Sequence, residues 1–578
     1  MSFEAPGALQ KEKTPNNSEK IRRILQRHVV DLPMEELGRR ELIKQMTGAS
    51  LGVKSVSVDR AHPVIDIESV VLAPGRKKVL MGPNGSGKST LFDAFMERDA
   101  FFNMKSGAGA SVVGKPVHLR ERTRIARLDQ EEILGEINDV PVGEVLSIAA
   151  DHFKIQFPVD WEDPDKYEQN LANQEVHVRI ETLVNKITAL FGVDDFLARK
   201  VSELSGGERT KLSLFAVLLS EPDVLFLDEP TNHLDLQSIS KLTALFDEYK
   251  KAGISIVSAS HVDWFLQDAG ADGVIEIAWD GKKREVRDSQ SPYSKYIKNP
   301  SREQAPVISG EIEWLQRDYG YKIGDTIVES PVNFSIPDSP LQGVSLPIIH
   351  GGDLVVLSGN NGTGKTKLME TIVAGKGERL PRKGKGVQLA YLPQFWPEDI
   401  SARKLGDFFD WVKDTSAPLS TGSSVHPEQS ARNLFIKLTR DLSFSGGSGE
   451  GLLNRPLAKF SGGEQRLLWF LIVSSLRNID ALILDEPTNH MDRNLQQKIA
   501  SAIQKFPGAV ILSTHDKNLI TLLTKAGGTI QGTARKPHHV VLEKLNGKTN
   551  IRESKTDPVA HMNDLMKKAV QQARQMKI

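Results

Sequence analysis

Short apolar runs bounded by turn residues recur along the chain, separated by stretches long enough to hold helices. Lys78–Met81, Val224–Leu227, Leu354–Leu357 and Ala481–Leu484 are dominated by Val, Leu and Ile without polar alternation. That is how strands buried on both faces of a mostly parallel sheet read. Between such runs the period changes. In Val176–Leu190 the apolar positions Val178, Ile180, Leu183, Ile187 and Leu190 suit a helix laid on a sheet. Ser18–Met46 predicts one or two amphipathic helices, with Ser18 as cap and Ile21, Ile24 and Leu25 on one face, forming an extension packed on the unit that follows. Pro558 opens a polar helix with Lys567, Lys568, Arg574 and Lys577, expected to be solvated. Pro292, Pro300 and Pro306 make Asp288–Ile308 the candidate linker. Strands alternating with helices predict an α/β fold.

The pattern occurs twice. VLMGPNGSGKST at Val79–Thr90 returns as VLSGNNGTGKT at Val356–Thr366, LSGGE at Leu204–Glu208 as FSGGE at Phe460–Glu464, and LFLDEPTNHLD at Leu225–Asp235 as LILDEPTNHMD at Leu482–Asp492. Order is kept while spacing changes, so the chain is a tandem duplication. The expected organisation is a helical extension (1–50), a first domain (51–300), a linker (301–325), a second domain (326–550) and a basic helical tail (551–578).

Composition narrows the class. Lys plus Arg and Asp plus Glu both number 74, so bulk charge gives no argument for nucleic acid or an anionic membrane. The longest apolar run, Leu467–Val473, ends at Ser474 and Ser475, far short of the ~18 residues a membrane span needs. It predicts a core helix. Met1–Lys20 has no apolar h-region, and the chain has no cysteine, which excludes disulfides and Cys-ligated zinc or iron–sulfur clusters. A cytoplasmic location is expected.

Gly-x4-Gly-Lys-Ser/Thr after a strand is a phosphate cradle: glycines let successive N–H groups turn inward, and the next helix presents its positive end. In the first repeat the candidates are Gly82, Pro83, Asn84, Gly85, Ser86, Gly87, Lys88, Ser89 and Thr90. In the second they are Gly359, Asn360, Asn361, Gly362, Thr363, Gly364, Lys365, Thr366 and Lys367. Lys88 and Lys365 would reach the β- and γ-phosphates, and the Ser89 and Thr366 hydroxyls would ligate Mg²⁺. Downstream strands end in Asp228-Glu229 and Asp485-Glu486. The aspartate is placed to hold Mg²⁺ through water, the glutamate to polarise the attacking water. His261 and His515 follow the matched runs ISIVSAS and AVILST and are candidate γ-phosphate sensors; Gln130 and Gln394 are candidate ligands of Mg²⁺ or the attacking water.

Together these residues resemble the ABC ATPase cassette over nearly all of residues 51–550. The resemblance implies two cassettes arranged head-to-tail within a monomer, each a mixed, mostly parallel sheet with a helical subdomain. It also implies that each SGGE loop finishes the opposite nucleotide site. Ser205, Gly206, Gly207 and Glu208 would then serve the ATP on Lys365, and Ser461, Gly462, Gly463 and Glu464 the ATP on Lys88, with Asp235 and Asp492 between the sites. Phe334 stands where an adenine-stacking ring is expected, with core packing as the alternative.

DEPTNH followed by Leu-Asp or Met-Asp in both repeats, with PYSKYI at Pro292–Ile297, is similar to the ABC-F group of ribosome-associated ATPases. This implies a ribosome, rRNA or tRNA partner. One departure is visible: between His261 and Gly359 the chain has strand-like and Pro-containing segments in place of the group's long charged two-helix arm. The alternatives are an ATP-gated switch working with a nuclease or toxin effector, and the energising ATPase of a transporter, docked on a permease without entering the membrane.

Overall fold

The computed structural model describes residues 17–30, 51–60, 65–72, 75–82, 86–89, 91–92, 110–114, 125–128, 137–155, 159–160, 162, 166–220, 222–232, 234–260, 262, 265–266, 270–279, 284–296, 312, 314, 324–375, 379–416, 435–436, 439, 450–476, 479–489, 491, 493–525, 529–530, 533–534, 537–545 and 548–575. Each repeat is built on its own sheet. In the second, the strand order is Leu389–Leu392, Ala481–Asp485, Ala509–Ser513, Leu354–Ser358, Pro537–Leu545, Lys548–Ser554. All neighbours are parallel except the last pair. The first repeat places Ile125–Leu128, Val224–Asp228, Ser255–Ala259, Lys77–Met81 and Gly273–Trp279 side by side, again all parallel. Five further strands, among them the antiparallel pair Leu51–Arg60 and Ile65–Leu72, extend this sheet. The apolar runs are thus central strands, buried along their length as continuous hydrophobicity requires.

The parallel order sets where chemistry sits. In each sheet the phosphate-loop strand lies beside the strand preceding the histidine position, which lies beside the strand ending in Asp-Glu. The carboxyl ends of parallel neighbours share one edge, so loops distant in sequence meet there.

Helices cover the sheets. Tyr167–Phe191 ends at Gly192 (φ 64°), whose N–H bonds Thr188 O, a left-handed cap that glycine adopts without strain. Helix Gly462–Ser475 buries Leu467–Val473 completely, so this run is a core helix. Among the described residues no helix is long and apolar enough to cross a membrane. At the N-terminus, helix Asn17–His28 buries Ile21, Ile24 and Leu25 and packs on helix Val142–Ile155, while Val29–Val30 pairs with the edge strand Ile125–Leu128.

Two segments read as connectors or tails are docked. Trp314 Nε1 donates to Ala502 O at 2.7 Å and its ring meets Phe506 edge-on, fixing part of the linker to the second repeat. Between residues 261 and 359 the helical residues described are 265–266 and Tyr293–Tyr296; residues 297–311, 313 and 315–323 lie outside the described residues. The C-terminal helix Pro558–Gln575 is not the solvated tail its charges suggest. It packs against Leu236–Lys251 of the first repeat and Lys517–Lys525 of the second, burying Met562, Met566 and Ala569. These three recur at helical spacing, so one stripe is apolar while Lys567 and Lys568 face solvent.

The docked helix predicts that Met562→Ala, which empties a site 1% exposed, costs about 2–3 kcal/mol. Urea unfolding of the full chain should show an earlier midpoint; an unchanged midpoint would mean the helix is not held against Leu236–Lys251.

Candidate functional site

The phosphate loop of the second repeat runs from the end of strand Leu354–Ser358 into helix Lys365–Ala374. Its glycines answer local geometry. A Cβ on Gly359 would sit 2.5 Å from Leu542 O, and Gly364 has φ +92° with the Leu341 side chain 3.0 Å from its Cβ position. Lys365 is buried, its Nζ donating to Gly359 O at 2.5 Å and Asn360 O at 3.0 Å. Burial lowers its pKa, opposed by Glu486, Asp235 and Asp485. Thr366 Oγ1 donates to Asp485 Oδ2 at 2.5 Å, so the hydroxyl and the carboxylate read as metal ligands point at one place.

Glu486 is held in the left-handed region (φ 49°), as is Glu229 in the first repeat (φ 50°). Such a conformation costs on the order of 1–3 kcal/mol in a residue with a side chain. It is pinned where the strand ends: Glu486 N donates to Ser513 O at 2.9 Å, and Glu229 N to Ala259 O at 2.8 Å. Burial and then the neighbouring Asp485 raise the Glu486 carboxyl to about 8, against the pull of Lys365 and hydrogen bonds from His515 N and Thr514 Oγ1. Glu486 Oε1 has no hydrogen-bond partner among the described residues. His515 Nε2 lies 3.7 Å from it, but burial holds the imidazole down at about 3, so it is neutral at physiological pH and the contact is no ion pair.

The first repeat supplies the facing wall. Ser205 caps helix Gly206–Leu218: Ser205 N donates to Glu208 Oε2 at 2.8 Å and Glu208 N to Ser205 Oγ at 3.4 Å. The second repeat repeats this box with Ser461 and Glu464, at 2.8 and 3.3 Å. The glutamate of SGGE therefore holds the helix start, leaving Gly206 and Gly207, or Gly462 and Gly463, as bare backbone in the first turn. Asp235 caps the next helix through Ser238 N (2.8 Å) with one oxygen. With the other it accepts from Asn361 N in the second repeat's phosphate loop (3.0 Å). Burial alone would raise the Asp235 carboxyl; Lys211 and the N–H groups of Asn361 and Ser238 bring it down to about 2, so it is charged. Gln237 accepts from Asn360 Nδ2 at 3.0 Å beside it.

Between these walls lies a cavity of about 510 Å³, within the usual range for small-ligand sites. Ser205, Gly206, Gly207 and Glu229 line it from the first repeat; Gly362, Gly364, Lys365, Thr366, Lys367, Gln394, Asp485, Glu486 and His515 line it from the second. The donor set fits a metal–nucleotide: a buried ammonium bonded to main-chain oxygens, a carboxylate oxygen without a partner, and a hydroxyl–carboxylate pair. An anion and a divalent cation would supply each missing countercharge.

The matched first-repeat residues are partly described. Lys88 Nζ donates to Gly82 O at 2.9 Å, Gly87 has φ 100°, Ser86 is buried, and Arg127 Nη2 lies 3.8 Å from Asp228 Oδ2. Ser89 opens the helix after the loop. Pro83, Asn84, Gly85, Thr90, Gln130, His261 and Asp492 lie outside the described residues. Phe334 takes the core-packing alternative. It is 2% exposed in a core cluster with Val344, Leu346 and Leu368, so its ring has no face free for a purine. Phe395, which follows Gln394, is 55% exposed and lines the cavity instead. The sequence reading missed it, and likewise Thr488 and Asp516, joined at 2.8 Å on the cavity wall. Their only signal was adjacency to Gln394 and to the DEPTNH and His515 segments.

The chain is similar to known proteins in sequence and in fold. The ABC transporter family model matches residues 66–232, and an AAA domain described as a putative AbiEii toxin of a type IV toxin–antitoxin system matches residues 397–521. The chain is similar to "ABC transporter F family member 4" of Arabidopsis thaliana, 25% identical over 549 residues, covering 82% of this chain and 73% of the relative. It is also similar to "Energy-dependent translational throttle protein EttA" of Haemophilus influenzae, 26% identical over 528 residues, covering 80% of this chain and 88% of the relative. Among solved structures, the archaeal ribosome recycling factor aABCE1, crystallised with ribosomal stalk protein aP1, superposes with TM-score 0.54 at 18% identity, over 86% of this chain and 89% of that one. "RNase-L Inhibitor" does so with TM-score 0.54 at 17% identity, over 89% and 92%. The fold is that of these tandem-cassette structures.

The raised Glu486 carboxyl sets a pH dependence. Between its ordinary value of 4.5 and about 8, the folded chain holds a proton there that the unfolded chain releases, so stability falls as pH rises through that window. In EDTA without nucleotide, Glu486→Gln should leave thermal stability near wild type at pH 5 and raise it at pH 9, by on the order of 2–5 kcal/mol. A difference that does not vary with pH would contradict this electrostatic picture.

Proposed function

We propose that this chain, a tandem-cassette ABC ATPase of the ABC-F type, binds two ATP with Mg²⁺ between its cassettes, closes on them, and opens after hydrolysis. The observation that carries the reading is the shared cavity, in which Ser205, Gly206 and Gly207 of one cassette face Lys365 and Thr366 of the other. The cassettes are residues 51–300 and 326–550, flanked by the extension (1–50), linker (301–325) and tail (551–578).

In this reading the residues take the following parts. Main-chain N–H groups of Asn361–Thr366 and the Lys365 ammonium cradle the phosphates. Thr366, Asp485 and Gln394 would hold Mg²⁺, which when bound neutralises charge on the β- and γ-phosphates. Glu486, in its ionised form, which the cation of a bound metal–nucleotide would favour, accepts a proton from the attacking water, and neutral His515 contacts the γ-phosphate. Ser205 and Gly207 close the pocket from the far side, while Asp235 orders the loop through Asn361 N. By the repeat, Lys88, Ser89, Asp228, Gln130, Glu229 and His261 act in the first cassette's site, completed by Ser461, Gly463 and Asp492. ATP drives closure to the extent that it binds the closed arrangement more tightly.

The partner we propose is the ribosome, in the cytoplasm, contacted through rRNA or tRNA in a translation-regulating role. Support comes from relatives of the ABC-F type, one of them named as a translational throttle protein. A second reading, an ATP-gated switch joined to a toxin or nuclease effector, is favoured by the toxin-type AAA match over residues 397–521.

Glu229→Gln combined with Glu486→Gln should lower ATP turnover by about 10²–10⁴-fold while nucleotide binding is kept. With ATP present, the trapped chain should co-sediment with ribosomes. Near-normal turnover would reject both glutamates as bases. Recovery of an effector protein or a membrane permease in place of ribosomes would reject the translational role.

A further inference from the structure

A buried guanidinium sits where the catalytic description has no use for one. Arg466, one turn into the helix that begins at Ser461, is 4% exposed in a segment otherwise apolar from Leu467 to Val473. Its Nη2 donates to the main-chain O of Gln394 at 2.8 Å, and its Nη1 has no hydrogen-bond partner among the described residues. Burial lowers its pKa to about 10, against the pull of Glu486 and Asp485, so it remains charged. A buried charge with incomplete hydrogen bonding costs stability, and a core helix would be better served by an apolar side chain. Packing therefore does not explain it.

The first repeat shows the position is not required by the fold. Five residues past Ser205 stands Thr210, whose hydroxyl bonds Gly206 O at 3.0 Å and Asn232 O at 3.3 Å. The cation near that repeat's carboxylates is Arg127, delivered from strand Ile125–Leu128, where the second repeat has Tyr391. Each repeat thus places a guanidinium by its Asp-Glu pair, Arg127 from a strand in the first and Arg466 from the helix headed by the SGGE loop in the second.

We infer that Arg466 is a positioning residue: it fixes the Gln394 loop of its own nucleotide site to the helix that presents Ser461–Gly463 to the other site. At the matched position of the first repeat, Thr210 ties its helix to the Asn232 loop. The inference rests on the proposed role of Gln394 at the metal or attacking water.

A double-mutant cycle on the full chain tests it, with wild type, Arg466→Met, Gln394→Ala and the double variant. The readouts are kcat, the Mg²⁺ concentration for half-maximal rate, and binding of a fluorescent ATP analogue in EDTA. Arg466→Met should lower kcat by about 10-fold and raise the Mg²⁺ requirement several-fold, with analogue binding in EDTA unchanged. In the Gln394→Ala background it should add little, since both changes act through one loop. Arg466→Lys, which keeps a donor, should recover part of the loss. Additive losses, or weakened analogue binding in EDTA with the Mg²⁺ requirement unmoved, would overturn the inference. An unaltered rate in Gln394→Ala alone would remove the role of Gln394 itself, and the inference with it.

Discussion

The arrangement depends on one carboxylate that belongs to both halves of the chain. Asp235 begins a helix of the first repeat by accepting from Ser238 N, and its second oxygen accepts from Asn361 N in the phosphate loop of the second repeat. A short side chain that caps one helix and orders another repeat's anion cradle leaves little freedom for the two to slide. Thr210 Oγ1 donates to Asn232 O at 3.3 Å, tying the SGGE helix of the first repeat to the segment that leads into Asp235, and Ser205 lines the same cavity as Lys365. The C-terminal helix reinforces this from behind, since it packs on Leu236–Lys251 after leaving the second repeat.

Within the cavity the charges are incompletely compensated. Lys365 is buried with main-chain oxygens for partners, Glu486 is strained and shifted toward its neutral form, and His515 is neutral. Parallel packing of Ala481–Asp485 against Ala509–Ser513 holds these groups in place regardless. The fold stabilises a site that is unfavourable alone, and a metal–nucleotide would relieve it. On the proposed function, this relief is what would couple ligand binding to cassette closure.

Much of this was legible because buried parallel strands and phosphate loops have strict local requirements. Leu354–Leu357 and Ala481–Leu484 are apolar on both faces, and Gly359 and Gly364 stand where a Cβ would collide or φ is positive. Other features depend on tertiary neighbours. Met562, Met566 and Ala569 make a narrow stripe on a helix whose charges dominate its composition, so docking was hidden. Phe334 has the right position for stacking but is enclosed by Val344 and Leu346, which no local pattern announces. Arg466 reads as an ordinary helix former until burial and the Gln394 carbonyl are seen. That SGGE of one repeat faces the lysine of the other came from family resemblance, since nothing in spacing fixes it.

The absence of cysteine from the chain permits a direct test of the shared cavity. Gln237 and Asn360 are in contact across the two repeats at 3.0 Å, and neither carries a proposed catalytic step. In a Gln237→Cys, Asn360→Cys chain, mild oxidation or a short bifunctional maleimide should give an internally cross-linked monomer, with a yield that rises when ATP and Mg²⁺ are added. If both cysteines react with maleimide singly yet no internal cross-link forms in any nucleotide state, the two repeats do not meet as described and the shared site does not exist.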